Sequence, residues 1–361
     1  MNPKVEKRLR HYRRDYEEVE GKPFKHFFCP ILGADEPIVR PTELIQGHIV
    51  NQSFKNAPRT WVVQRSDVDN FYGTHFEADF ETLQYRDELT PIKLLTEKDL
   101  TKKFNPQIWL NGVPVEFTSQ PSPPAGQFVP VVLGEGSGPS IGVKMGRKEF
   151  IEAAKERWEF TVLKDVRIPA MVSLIKAAHL TAFHLLGYKY ATATAGLLIG
   201  KDVLGKFYRL NAGRPRKEVV ANAWPYFREF AAISRPLLHA DVGYLGTIRD
   251  RRVLVCYTTS GRIWAQIVLI RTANQMHSVM LPVFDWIESV PVFLEFLKND
   301  NERIEVATAE FDTANRSWTV YGDRRQQVWP KQGTLYPQVP DPIEWTPFEG
   351  RATLALEAPS P

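Results

Sequence analysis

Apolar and polar positions follow several rhythms along this chain, and each predicts a different kind of element. Residues 3 to 20 have helical composition, with Lys4, Lys7, Arg8, Arg10, Arg13 and Arg14 ahead of Asp15, Glu17, Glu18 and Glu20. Between Phe24 and Leu89 short strand-like runs give way to a helical pattern. A strand ends at His48, a polar loop runs through Asn56 to Thr60, WVVQ forms a second strand, and a helix starts near Ser66 or Asp67. Asp67 is a good N-cap, and Phe71, Phe76 and Phe80 can face a core from that helix.

Farther along, IWLNGVPVEF (108 to 117) sets Asn111 and Gly112 between two apolar runs, which predicts a hairpin. Proline- and glycine-rich stretches follow. LGEGSGPSIG lacks the Lys-Ser/Thr pair of a phosphate loop and leads into strand-like IGVKM, so it is read as a turn. Residues 147 to 158 have the pattern of a short amphipathic helix, and WEFTVLKDVRI that of a strand. From Ile168 to Tyr208 the chain is almost continuously apolar with small residues, as in helices packed on both sides. Lys176, His179, His184 and Lys189 punctuate that run at intervals a bilayer would penalise, so no membrane span is expected. His179 and His184, five apart, are expected to be core or edge residues and not ligands. The last third alternates as antiparallel β, with hairpins around Ser260 and Gly261 and around Thr313 to Arg316, and a helix near Pro291 between them.

The expected fold class is therefore α+β: a charged helix (1–23), a compact strand-and-helix domain (24–90), a hairpin with a Pro/Gly-rich connector (91–146), a larger mixed helical and antiparallel-β domain (147–329) and a Pro-rich tail (330–361). The length, 361 residues, suits this division. A composition of 43% hydrophobic and 24% charged residues is that of a globular protein, and a net charge of +4 argues for a polyanionic partner only through a local patch. Cys29 and Cys256 stand alone, which excludes a disulfide framework or a four-cysteine zinc site within one chain and points to the cytoplasm. The first 21 residues have no apolar core, so no secretory signal is expected.

The chemistry concentrates in GHIVNQSF (47 to 54) and VVQRSDVDNFYG (62 to 73). Together they resemble the HNH, or ββα-metal, nuclease domain, and particularly that of RNA-guided CRISPR effector nucleases; the resemblance covers about 60 residues. It implies an HNH-like fold and a metal-dependent endonuclease acting on DNA, with one divalent ion, Mg²⁺ or Mn²⁺. His48 would be the general base that deprotonates the attacking water. Asn70 or Asp69 would bind the metal: the spacing from Arg-Ser-Asp favours Asp69, the Asn-x-x-Gly pattern Asn70. Glu77, seven residues after Asn70 on the same helical face, is a replacement ligand, whereas His75 is rotated away.

The chain also departs from the pattern. Gly47 stands where many members carry an acidic ligand, and the zinc knuckle is reduced to Cys29, so structural zinc is not expected. Lys55, Arg59 and Arg65, with Arg10, Arg13 and Arg14 of the N-terminal helix, are the expected phosphate contacts. The alternative is a catalytically degenerate HNH module that binds nucleic acid or a protein partner. The C-terminal region would then select a substrate, partner or activator; it carries no nucleophile motif or ligand cluster of its own.

Overall fold

The protein is described here from a computed structural model, which describes residues 2–35, 37–51, 59–78, 80, 106–110, 113–114, 117–118, 129–131, 141–143, 158–162, 167–227, 253–257, 263–272, 275–298, 304–312, 317–328 and 343–344. It is an α+β protein that divides into two units, residues 1–84 with 166–338, and residues 85–165 with 339–361.

The first unit opens with helix α1 (Pro3–Glu20). Asn2 caps it by accepting from the Lys4 N–H, Pro3 occupies the first turn, and Gly21 closes it in the left-handed conformation. Val5 and Tyr12 are buried, while Lys4, Lys7, Arg10, Arg13 and Arg14 are exposed. Strands β1 (Leu44–His48) and β2 (Trp61–Arg65) then pair antiparallel, with His48 opposite Trp61 and Gly47 opposite Val62. Helix α2 (Ser66–Tyr72) follows directly and continues as a π-turn, Gly73–Glu77.

Asp67 does not act as the N-cap expected of it. Helix α2 starts one residue earlier, Arg65 takes the capping position, and the Asp67 carboxylate grips the Arg65 guanidinium at 2.7 and 3.1 Å. An acid in the first turn suits the helix dipole equally well.

In the second unit, β3 (Pro106–Leu110), β4 (Val113–Pro114) and β8 (Trp158–Val162) lie in one small sheet, and β5 (Phe117–Thr118), β6 (Val129–Val131) and β7 (Ile141–Val143) in another. The Asn111-Gly112 hairpin forms as expected, Leu110 pairing with Val113. The expected helix (147–158) and the turn LGEGSGPSIG (133–142) lie outside the described residues except for Trp158, which starts β8, and Ile141 and Gly142, which belong to β7. So does the tail, except for β14 (Ile343–Glu344), which pairs with β8.

The first unit resumes with α3 (Arg167–Leu186), buried at every position from Pro169 to Leu180. The cause is contact on two sides: the π-turn of α2 packs on one, and β10 (Ile263–Thr272) and β11 (Gln275–Pro282) on another. Ile168–Leu186 is long and apolar enough to cross a membrane, yet 78% of it is buried within the protein. Helices α4 (Tyr188–Ala191), α5 (Thr194–Leu197), α6 (Lys206–Asn211) and α7 (Arg216–Phe227) follow, with a π-turn, Leu198–Gly205, between α5 and α6. Asp15 of α1 accepts the Tyr188 N–H at 2.7 Å and so caps α4. The preceding Gly187 has φ 62, and a Cβ there would meet that Asp15 carboxylate at 2.1 Å.

An antiparallel sheet ordered β11-β10-β9-β12-β13 completes the unit, with β9 at Val253–Tyr257, β12 at Ile304–Asp312 and β13 at Ser317–Val328. Both hairpins expected in this region form. A third, β10 to β11 with Thr272 opposite Gln275, has no glycine in its turn and carries no sequence signal of the usual kind. Helix α8 (Ser289–Lys298) begins near Pro291, as expected.

Candidate functional site: a buried lysine between two carboxylates

Lys176 is the anomaly of the core. It lies in the middle of α3 with 0% of its surface exposed, where an uncompensated ammonium would be severely destabilising. Its Nζ donates to Asp69 Oδ1 at 2.9 Å and to Glu77 Oε1 at 2.6 Å, and lies 5.7 Å from the centre of the Tyr72 ring. Burial disfavours the charge, but Glu77 and Asp69 outweigh it and lift the Lys176 pKa above the ordinary lysine value. Burial also raises the Glu77 pKa, against the pull of Lys176.

The π-turn explains why these two acids meet. Eight residues of regular α-helix leave Asp69 and Glu77 about 80° apart around the axis. Winding Gly73–Glu77 with i→i+5 bonds lowers the rotation per residue to roughly 80°, which brings the two onto one face. The 3.6-residue period had paired Glu77 with Asn70; the extra residue in the turn pairs it with Asp69 instead. Asn70 is exposed, and Asp69 alone of the two reaches Lys176.

His48 closes β1 and is partly exposed. Burial lowers its pKa below the usual histidine value, against the pull of the Asp69 carboxylate, which favours the neutral imidazole. Beside it, a Cβ at Gly47 would meet Gln64 Nε2 at 2.0 Å, so any side chain there must displace Gln64. Gln64 is 1% exposed, and neither end of its amide has a hydrogen-bond partner among the described residues. His75, expected on the surface, is half-buried, its ring 4.8 Å from Phe71.

Among the expected phosphate contacts, Arg59, Arg10, Arg13 and Arg14 are exposed, and Lys55 lies outside the described residues. Arg65 is not available. It is 5% exposed, bound to Asp67 and donating to the Pro37 carbonyl at 2.8 Å, so its charge is already satisfied. Arg8, not singled out before, proves to be a joint. Its guanidinium lies 4.7 Å over the Trp61 ring and 3.2 Å from His184 Nδ1, tying α1 to the residue opposite His48. Since guanidinium only donates, His184 accepts through Nδ1.

His179 is a core residue. Both ring nitrogens are engaged, Nε2 with the Pro30 carbonyl and Nδ1 with the Tyr190 hydroxyl, each at 2.9 Å. Burial lowers its pKa to about 4, so it is neutral, donating from Nε2 and accepting at Nδ1.

These residues do not fit the divalent ion that the resemblance implies. Such an ion takes about six oxygen ligands, of which one or two are usually carboxylates and the rest waters or phosphate oxygens. Here Asp69 and Glu77 are both bonded to an ammonium, and Asn70 is exposed. Among the described residues no three His, Cys, Asp or Glu side chains cluster closely enough to hold a metal. No protein-family model, curated protein or solved structure matches the chain.

Proposed function

We propose that this chain is a nucleic-acid-binding protein whose ββα segment is an HNH-type module that grips DNA without hydrolysing it. The observation that carries this reading is the Arg8–Trp61 stack, which sets α1 against the His48 end of the hairpin. Lys4, Lys7, Arg10, Arg13 and Arg14 are exposed on α1, and exposed Arg59 lies two residues before the start of β2. Cations arrayed in this way contact phosphates and fix register on a duplex without reading its sequence.

The test is fluorescence anisotropy of a labelled DNA duplex titrated with the full chain at several salt concentrations. Binding is expected to weaken steeply with salt. The combined Arg10→Ala, Arg13→Ala, Arg14→Ala variant should reduce the log–log salt slope by about 2 to 3. Binding unchanged in that variant would refute this interface.

A second reading, a metal-dependent HNH endonuclease, draws on one specific observation: His48 is partly exposed, favoured in its neutral form, and within electrostatic reach of Asp69. His48 is the general base in that reading. It requires Lys176 to give up both carboxylates.

A further inference from the structure

The Asp69–Lys176–Glu77 cluster brings two carboxylate oxygens to a single point, where the HNH resemblance implies a metal ion. That point is held by a side chain of this same protein, carried on a helix whose backbone is fixed by burial on two sides. The ring of Tyr72 adds a third, π-faced wall. Tyr72 is itself anchored, its hydroxyl donating to the Leu204 carbonyl at 2.7 Å. A free ion competing for this point would have to expel an ammonium that has no exposed surface.

We propose that Lys176 is a resident counter-cation: its ammonium fills a two-carboxylate pocket, excludes divalent ions from it, and leaves the pocket as a latent divalent-cation site that appears only when the ammonium is removed. The inference rests on the HNH-type reading only for the expectation of an ion at this point; its test measures cation occupancy and would stand or fall independently of DNA binding.

The experiment titrates Mn²⁺ into the full chain, following free Mn²⁺ by electron paramagnetic resonance and unfolding by thermal melts in Mn²⁺ and in EDTA. The parent protein should bind no Mn²⁺ that Asp69→Asn abolishes, and should melt at the same temperature in both buffers. Lys176→Ala, purified in Mn²⁺, should melt about 10 °C lower in EDTA. It should bind one equivalent of Mn²⁺, recover much of the lost melting temperature, and lose both gains when Asp69→Asn is added. Lys176→Met, which refills the volume without the charge, should gain nothing from Mn²⁺. An Asp69-dependent Mn²⁺ equivalent in the parent protein would overturn the proposal. So would a Lys176→Ala protein that binds none. Because the parent titration requires no variant of Lys176, poor folding of Lys176→Ala does not shield the proposal.

Discussion

The core of α3 and the outer face of α1 both carry charge, and only one of them can meet a partner. Around Lys176 two carboxylates lie within hydrogen-bond distance of one fully buried ammonium. On α1 the exposed Lys4, Lys7, Arg10, Arg13 and Arg14 face solvent. Buried charges must be matched in place, so they specify the packing of α2 on α3; exposed ones cost little to hold and remain free to attract a polyanion. A lysine or aspartate in the sequence therefore says little about function until its burial is known.

The comparison breaks most visibly at Lys176. Truncating it to Ala should cost about 3 to 5 kcal/mol in urea unfolding, because two carboxylates lose their partner. Arg10→Ala should stay within about 0.5 kcal/mol. Similar losses at both positions would contradict the distinction.

His179 sharpens the contrast through pH. Its folded pKa, about 4, lies below the unfolded value of 6.5, so folding selects the neutral ring. Its contribution is full above pH 6.5 and is lost as pH falls from there toward 4, by about 3 kcal/mol. His179→Phe should be less stable at neutral pH but show a shallower decline over that window. An equally steep decline would assign the acid sensitivity elsewhere.

Position 47 gives the next effect. Gly47→Asp, which restores the acid of the HNH pattern, should destabilise by about 1 to 3 kcal/mol because the new Cβ overlaps Gln64. Adding Gln64→Ala should recover most of that loss, as measured by urea midpoints. If the single variant is neutral, Gln64 yields and the position is not blocked.

Much of this was legible in the sequence for local reasons. The ends of α1 are written in Asn2, Pro3 and Gly21, and three β-hairpins in the spacing of their strands. Lys176 could be seen to interrupt an apolar run, but its partners lie 107 and 99 residues earlier, and no local pattern encodes such a distance. The pairing of Glu77 with Asn70 rested on a regular helical phase, which the π-turn shifts by one residue. Arg65 looked like its basic neighbours; only the fold commits it to Asp67 and Pro37. Gly47 read as a missing acid; the structure adds that Gln64 of the adjoining strand occupies the space a side chain there would need.

The most direct test of the account is to incubate the full chain with supercoiled plasmid in Mn²⁺ and in EDTA, then resolve both retardation and nicking on gels. The account predicts retardation in both buffers and nicking in neither, because α1 supplies the grip and Lys176 holds the carboxylates. Mn²⁺-dependent nicking that disappears in His48→Ala would contradict it, and would establish that the ammonium leaves its pocket for a catalytic ion.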